Sequence, residues 1–96
     1  MESGFSQFVR QHRKNRNWSL AELARRADLT QPEVSRLETG ARTPTLRHVR
    51  GLAEAFSSTT TSHGEPENYG EWISVLVDLG QSSREQRHAD RKLKGA

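Results

Sequence analysis

Apolar residues recur at helical spacing in the first half of the chain and predict four short helices. Phe5, Phe8 and Val9 stand at i, i+3 and i+4, and His12 completes that face. Three further segments repeat the spacing: Leu20, Leu23, Ala24 and Ala27; Val34 and Leu37; and Leu46, Val49, Leu52, Ala53 and Phe56. We therefore expect short helices that pack their apolar faces into one core.

Polar residues indicate where the second and third helices begin. Ser19 with Glu22, and Thr30 with Glu33, match the capping box, in which a hydroxyl and a carboxylate each accept a backbone N–H at the helix start. Pro32 lies in the first turn of the third helix, where its missing N–H is not needed. The second helix is thus predicted to begin directly after Ser19, and the third directly after Thr30.

The second and third helices are separated only by the turn residues ADLT and together have the form of a helix-turn-helix. Gly40 ends the third helix, and Pro44 and Thr45 precede the fourth. A pair of amphipathic helices packed for structural reasons alone would show the same spacing. The pattern by itself therefore leaves both a DNA-binding and a structural role open.

After the helical core in residues 1–56, the chain changes character. Residues 57–68 are rich in Ser, Thr, Gly and Pro and are predicted to form a linker or long loop that buries nothing. Residues 69–80 are apolar again; their length favours a helix, while their Ile and Val content keeps a strand as the alternative. Residues 81–96 are polar and are expected to be a disordered tail or a frayed helical extension.

Composition limits the class of protein. The 96 residues have room for one core, and an apolar fraction of 31% agrees with part of the chain lying outside it. The absence of cysteine excludes disulfides, thiolate catalysis and cysteine-ligated zinc. No apolar run is long enough for a signal peptide or a membrane span, so we expect a cytoplasmic protein with no membrane partner.

Charge is segregated along the chain. Residues 1–50 carry ten Lys and Arg against five acids, residues 51–83 carry five acids and no base, and residues 84–96 are basic again. This separation is typical of a nucleic-acid-binding face set apart from another surface, although solvated charges with no partner would also give it.

Enzymatic chemistry has no support in the residue pattern. The four histidines, His12, His48, His63 and His88, share no metal-ligand spacing, and no Gly-rich phosphate loop is present. We expect no catalytic residue, no cofactor and no metal. His12 is predicted at the edge of the core and His48 on the solvent side of the fourth helix.

The stretch from Ser19 to Phe56 resembles the helix-turn-helix domain of the phage repressor and Cro family, which includes xenobiotic-response-type regulators and antitoxins. The matching residues are LAELARRADLT, VSRLETGARTPTL and LAEAF, and the pattern SRLE-x-G-x-R-x-P-x-L is specific in combination. The resemblance implies an all-α, five-helix DNA-binding domain with a polar C-terminal tail. It also implies a bacterial or phage protein that acts at the nucleoid.

The resemblance further implies that the third helix lies in the major groove, with its N-terminal residues at base edges. The corresponding residues here are Gln31, Pro32, Ser35 and Arg36. Gln can pair with adenine, Arg with guanine and Ser with either, while proline can meet a thymine methyl. A local ion pair is the alternative for Arg36. Glu33 could accept from cytosine, but its capping role already occupies the carboxylate.

Phosphate contacts are expected from helix N-termini and from the loop after the third helix. The candidate residues are Arg42, Thr43, Thr45 and Arg47. The remaining basic residues of the helices are expected to keep the domain soluble and to steer it toward DNA. They are Arg10, Lys14, Arg16, Arg25 and Arg26.

Two positions in the helix-turn-helix depart from the family pattern, and one pair matches it. Leu20 stands where many members have a glutamine that braces a phosphate, so that contact is lost or reassigned. Asp28 stands at the usual turn glycine, and aspartate tolerates left-handed backbone. The resemblance also implies an ion pair between Arg13 and Glu38 that ties the first helix to the third.

Family repressors bind as two-fold dimers, and Trp72, Ile73 and Leu76 are the candidates for the dimer contact. Alternatively, these side chains close the core, and the two roles are compatible. We expect a sequence-specific homodimeric repressor of a double-stranded DNA operator. The alternatives are an antitoxin with a toxin partner, and a protein-interaction module that uses the fold without DNA. A polar third helix followed by a basic loop favours DNA.

Overall fold

The computed structural model describes residues 4–59 and 65–81, and these residues form five helices and no strand. The helices are α1 (Gly4–Asn15), α2 (Leu20–Ala27), α3 (Gln31–Thr39), α4 (Leu46–Ser57) and α5 (69–81). The all-α class is confirmed. The sequence left residues 69–80 as either a helix or a strand, and the structure shows that they are helical. The expectations for residues 60–64 of the linker and 82–96 of the tail lie outside the described residues.

A single core forms where the five helices meet. Trp72 of α5 is fully buried, and its ring centroid lies 5.9 Å from that of Phe8 and 5.1 Å from that of Phe56. Leu76 is also fully buried, which contributes about 1.5–3 kcal/mol. Ile73 is only partly buried. In the single chain, α5 therefore closes the core beside α1 and α4.

Both predicted hydroxyl caps are present, but the capping box is complete only at α3, because the Glu22 carboxylate of α2 bonds to Arg25 and Arg26 instead of the Ser19 N–H. The Ser19 hydroxyl accepts the N–H of Glu22 at 3.1 Å, and Thr30 and Glu33 complete a reciprocal capping box. Asp28 ends α2 in the left-handed conformation, with φ of 55°. Aspartate tolerates this conformation better than most residues, so the turn forms without glycine.

Helices α2 and α4 approach each other closely at Gly51. A Cβ atom at this position would lie 2.2 Å from the backbone oxygen of Ala27. Because backbone atoms cannot yield as a flexible side chain can, the helix crossing depends on a residue with no side chain. The crossing fixes α4, and with it the loop after α3, against the helix-turn-helix.

Arg16 is buried, which corrects the expectation that it would serve only solubility and steering. Its side chain is 1% exposed, and its guanidinium lies 4.9 Å from the centroid of the Phe56 ring. It donates to the Phe56 carbonyl at 3.3 Å and to the Glu65 carboxylate at 2.8 Å. The His12 carbonyl and the Thr59 hydroxyl accept its other donors. A buried guanidinium needs all of these partners.

Glu65 corrects the prediction that the linker buries nothing. Its side chain is 3% exposed, pairs with Arg16 and lies 3.3 Å from Nδ1 of His12. Burial lowers the pKa of His12 below its ordinary 6.5, although Glu65 acts in the opposite direction. His12 lies at the edge of the core, as predicted, with its ring against Trp72. Residue 65 is therefore fixed to α1.

Candidate nucleic-acid interface

The N-terminal part of α3 presents polar side chains to solvent. Gln31, Pro32 and Arg36 are exposed and Ser35 is half-buried. The two large apolar residues of the helix are fully buried in the core. All four residues predicted to contact bases therefore have accessible surface on α3.

The opposite part of α3 is anchored to α1. The Arg13 guanidinium donates two hydrogen bonds, of 2.7 and 3.0 Å, to the Glu38 carboxylate. Arg10, expected to stay in solvent, donates to the Glu38 carbonyl at 2.6 Å, and the Ser6 hydroxyl donates to the Leu37 carbonyl at 2.7 Å. The structure thus brings Arg13 and Glu38 together and adds two contacts that sequence reasoning missed.

The Arg13–Glu38 pair determines the orientation of α3. Glu38 is 3% exposed, and Arg13 also donates to the Trp18 carbonyl at 2.8 Å. Desolvation of two charges largely offsets their attraction, so the net stabilisation is small. Two parallel hydrogen bonds nevertheless permit one relative arrangement of the side chains. The pair therefore holds the exposed part of α3 at a fixed angle to α1.

Glu33 closes the N-terminus of α3 and also reaches α4. Its carboxylate accepts the Thr30 N–H at 2.9 Å and a hydrogen bond from the Arg47 guanidinium. The backbone hydrogen bond of Thr30, assisted by Arg47, lowers the pKa of Glu33 to about 2. The capping interpretation of Glu33 is confirmed, and its carboxylate is ionised and occupied within the protein.

His48 is fully buried, so its predicted position on the solvent side of α4 is wrong. Its Nδ1 accepts the Thr45 N–H at 3.0 Å. The proton of the neutral ring is therefore on Nε2, which lies 3.6 Å from Oε1 of Glu33. Burial, followed by the charge of Arg42, lowers the pKa of His48. The spacing of Thr45 and His48 is that of a cap and its third residue, a signal that could have identified the buried ring.

The contact between Glu33 and Arg47 brings the N-termini of α3 and α4 side by side. Around the start of α4, Arg42 and Thr45 are exposed and Thr43 is half-buried. The Arg47 side chain is 59% exposed although it is paired. Helix N-termini present backbone N–H groups and partial positive charge, which favour phosphate. The four predicted phosphate-binding residues are thus grouped beside the predicted base-contacting residues.

An apolar groove lies between the start of α4 and the end of α5. Its apolar lining consists of Pro44, Leu46, Val49, Leu76, Val77 and Gly80. Leu46 was predicted on the core face, but 53% of its surface is exposed, because burial in α4 begins only at His48. The start of α4 therefore combines charged residues with one accessible apolar side chain.

Within residues 4–59 and 65–81, no group of three or more acidic or histidine side chains could hold a metal ion. None of the helices in those ranges has the length and apolar character needed to span a bilayer.

Comparison with known proteins gives one family match. A family model described as helix-turn-helix matches residues 9–62, more than half of the chain, and includes the whole of α2, α3 and α4. No curated protein and no solved structure matches the chain significantly.

Proposed function

Since the chain belongs to the Cro-type helix-turn-helix family of DNA-binding transcription regulators, we propose that it is a homodimeric repressor. Its proposed ligand is a short double-stranded operator, read by α3 in the major groove. The family is typically non-enzymatic, and the proposed place of action is the nucleoid in the cytoplasm. The observation that carries the proposal is the exposed polar N-terminal part of α3 on a helix whose other end is anchored by Arg13–Glu38.

Base recognition is proposed to come from Gln31, Pro32, Ser35 and Arg36. A glutamine amide can pair with adenine N6 and N7, and a guanidinium with guanine O6 and N7. Arg36 is exposed, and it forms no ion pair with the residues in 4–59 and 65–81. This supports base contact over the local ion pair that was its alternative.

Affinity is proposed to come from phosphate contacts by Arg42, Thr43, Thr45 and Arg47. These residues surround the N-terminus of α4, whose backbone N–H groups add to the attraction. Contacts of this kind bind DNA irrespective of sequence and set the position in which α3 meets the bases.

Dimerisation is proposed to use a second copy of the chain, seated on the groove beside Leu46. Trp72 is occupied in the core, Leu76 is buried at the floor of the groove, and Ile73 keeps part of its surface. Leu46 and Tyr69 are the large hydrophobic residues classed as exposed among the described residues. A two-fold contact would place Leu46 of each copy against the same groove of the other. The contact lies next to the proposed phosphate site, so it would couple dimer geometry to DNA binding.

The division of roles is testable with two variants on labelled duplexes. Arg36→Ala should reduce preference at one base position by about 1–3 kcal/mol, because it loses a bidentate base contact. Arg42→Ala should weaken binding to every sequence and lower the salt slope by about one, because it loses a phosphate contact. The measurement is fluorescence anisotropy over a series of salt concentrations and single-base operator variants.

Arg25→Ala is the matched control for these variants. It removes the same charge from α2, where Arg25 is exposed and pairs with Glu22. We expect both the base preference and the salt slope to stay nearly unchanged. If Arg36→Ala left the base preference intact, Arg36 would have no part in readout.

A further inference from the structure

Two donors on α4 point toward the same carboxylate oxygen of α3. Oε1 of Glu33 accepts a hydrogen bond from Arg47 and lies 3.6 Å from Nε2 of His48. The other oxygen, Oε2, accepts the Thr30 N–H at 2.9 Å, which holds the carboxylate at the helix start. Oε1 therefore has a defined position between the two helices, in which it accepts from Arg47 while Nε2 of His48 stays beyond hydrogen-bond distance.

The imidazole N–H of His48 is left without an acceptor in this arrangement. The ring is fully buried, and its Nδ1 is already bonded to the Thr45 N–H. Among the described residues, Nε2 has no hydrogen-bond partner. A buried donor without an acceptor is destabilising, and such groups are rare in folded proteins. Oε1 of Glu33 is the acceptor that it would reach after a small movement.

Arg47, in contrast, has a second partner within reach when DNA is bound. Its side chain is 59% exposed, and it lies in the first turn of α4 among the proposed phosphate contacts. A phosphate offers a guanidinium the same two-oxygen geometry as a carboxylate. Arg47 can therefore change partners by rotation of its side chain, with the helices unmoved.

We propose that Glu33 is a positioning residue that exchanges partners when DNA binds. Arg47 leaves the carboxylate for a phosphate, and the buried N–H of His48 takes its place on Oε1. This inference rests on the proposed function and deepens it. The carboxylate stays paired in both states, and the starts of α3 and α4 stay joined, first through Arg47 and then through His48.

The protein half of the exchange is testable without DNA. Arg47→Ala removes the guanidinium that holds the Glu33 carboxylate, so the carboxylate should move toward the Nε2–H of His48 and accept its hydrogen bond. In NMR spectra of the imidazole, we expect the Nε2–H proton to move downfield and to exchange more slowly with water. Burial is the main cause of the lowered pKa of His48, and the charge of Arg47 lowers it further while Glu33 raises it, so the midpoint of the His48 titration should rise in this variant. An unchanged Nε2–H signal would overturn the proposal.

The DNA half is testable with a double-mutant cycle of Glu33→Gln and Arg47→Ala. Glutamine preserves the capping box but removes the charge that holds Arg47. Glu33→Gln should strengthen DNA binding about twofold to fivefold, the range expected from release of an exposed ion pair. The gain should disappear when Arg47 is alanine. An equal gain in both backgrounds would show plain repulsion between Glu33 and phosphates, and would overturn the exchange.

Glu22→Gln is the matched control for the cycle. Glu22 is also the third residue after a hydroxyl cap, and it pairs with Arg25 and Arg26. Its effect on binding should be the same with and without Arg47. If the protein bound no duplex at all, the proposed function and the phosphate half of the exchange would fail. The His48 signal in Arg47→Ala would then still show whether Glu33 is the shared acceptor.

Discussion

At the scale of single residues, Arg16 joins parts of the chain that are distant in sequence. It bonds to the His12 carbonyl of α1, to Phe56 and Thr59 at the end of α4, and to Glu65 before α5. Its guanidinium also lies over aromatic rings of the core. One buried cation thus fixes the segment that leads into α5 to α1 and to the end of α4.

Removal of this cation should be strongly destabilising. Arg16→Met removes the guanidinium that pairs with the buried Glu65 carboxylate, so we expect a loss of about 3–5 kcal/mol in the free energy of unfolding. The double variant Arg16→Met with Glu65→Gln should recover much of that loss, because no buried charge remains. Urea denaturation measures both, and Arg25→Met is the exposed control. A double variant no more stable than the single one would contradict the account.

Polar burial of this kind could not be predicted from the sequence. Arg16 follows the last residue of α1, and its partner Glu65 comes 49 positions later, in a stretch whose composition indicates a loop. The predicted position of His48 was wrong for a related reason, because its ring is covered by groups from α3 as well as α4. The ion pair between Arg13 and Glu38 could be predicted only from the family resemblance.

At the scale of elements, capping residues determine where the helices begin, and one glycine allows α2 and α4 to cross closely. The hydroxyl caps of α2, α3 and α4 lie directly before the first residue of each helix. Gly51 then brings α4 against the end of α2. The elements that carry the proposed DNA contacts are therefore positioned by a few short-range features.

Gly51→Ala should disturb this crossing. The new methyl group would overlap the Ala27 oxygen, and overpacking of this kind typically costs about 1–3 kcal/mol. Gly70→Ala in α5 is the matched control, since its Cβ would meet only the Asn68 side chain at 3.4 Å. Alanine there should be neutral or stabilising, because it is the better helix former. Thermal unfolding compares the two, and equal effects would contradict a close helix approach at Gly51.

The starts of α2 and α3 were predictable because capping is a local interaction. Residues 69–81 were ambiguous because their Ile and Val content suits both a helix and a strand, and packing of Trp72 and Leu76 against the other helices decides the outcome. The predicted burial of Leu46 was wrong, because helical periodicity does not show where along a helix the core ends.

At the scale of the whole molecule, ionisable groups make stability depend on pH. Burial lowers the pKa values of His12 and His48 below 6.5, so the unfolded chain binds these protons first as pH falls. Glu33 has a pKa of about 2 in the folded protein against an ordinary 4.5. Its contribution is complete above pH 4.5 and is lost as pH falls toward 2. Glu33 therefore stabilises the folded state at neutral pH, whereas the two histidines destabilise it once the pH falls below 6.5.

The urea concentration at the unfolding midpoint should accordingly decrease over two separate pH ranges. The first decrease in stability should begin as pH drops below 6.5, because the two histidines become protonated. The second decrease should begin below pH 4.5, because carboxylates that include Glu33 become protonated. A variant with glutamine at both His12 and His48 should lose the first range while keeping the second. A midpoint that stayed constant or rose between about pH 7 and about pH 5 would contradict neutral buried histidines.

The central claim, sequence-specific binding by a two-fold dimer, is tested most directly by selection from random duplex DNA with the full-length protein near physiological salt. We predict enrichment of an inverted repeat whose half-sites are separated by about one helical turn, close to 34–36 Å. Salt-sensitive binding without an enriched motif would contradict sequence-specific readout by α3.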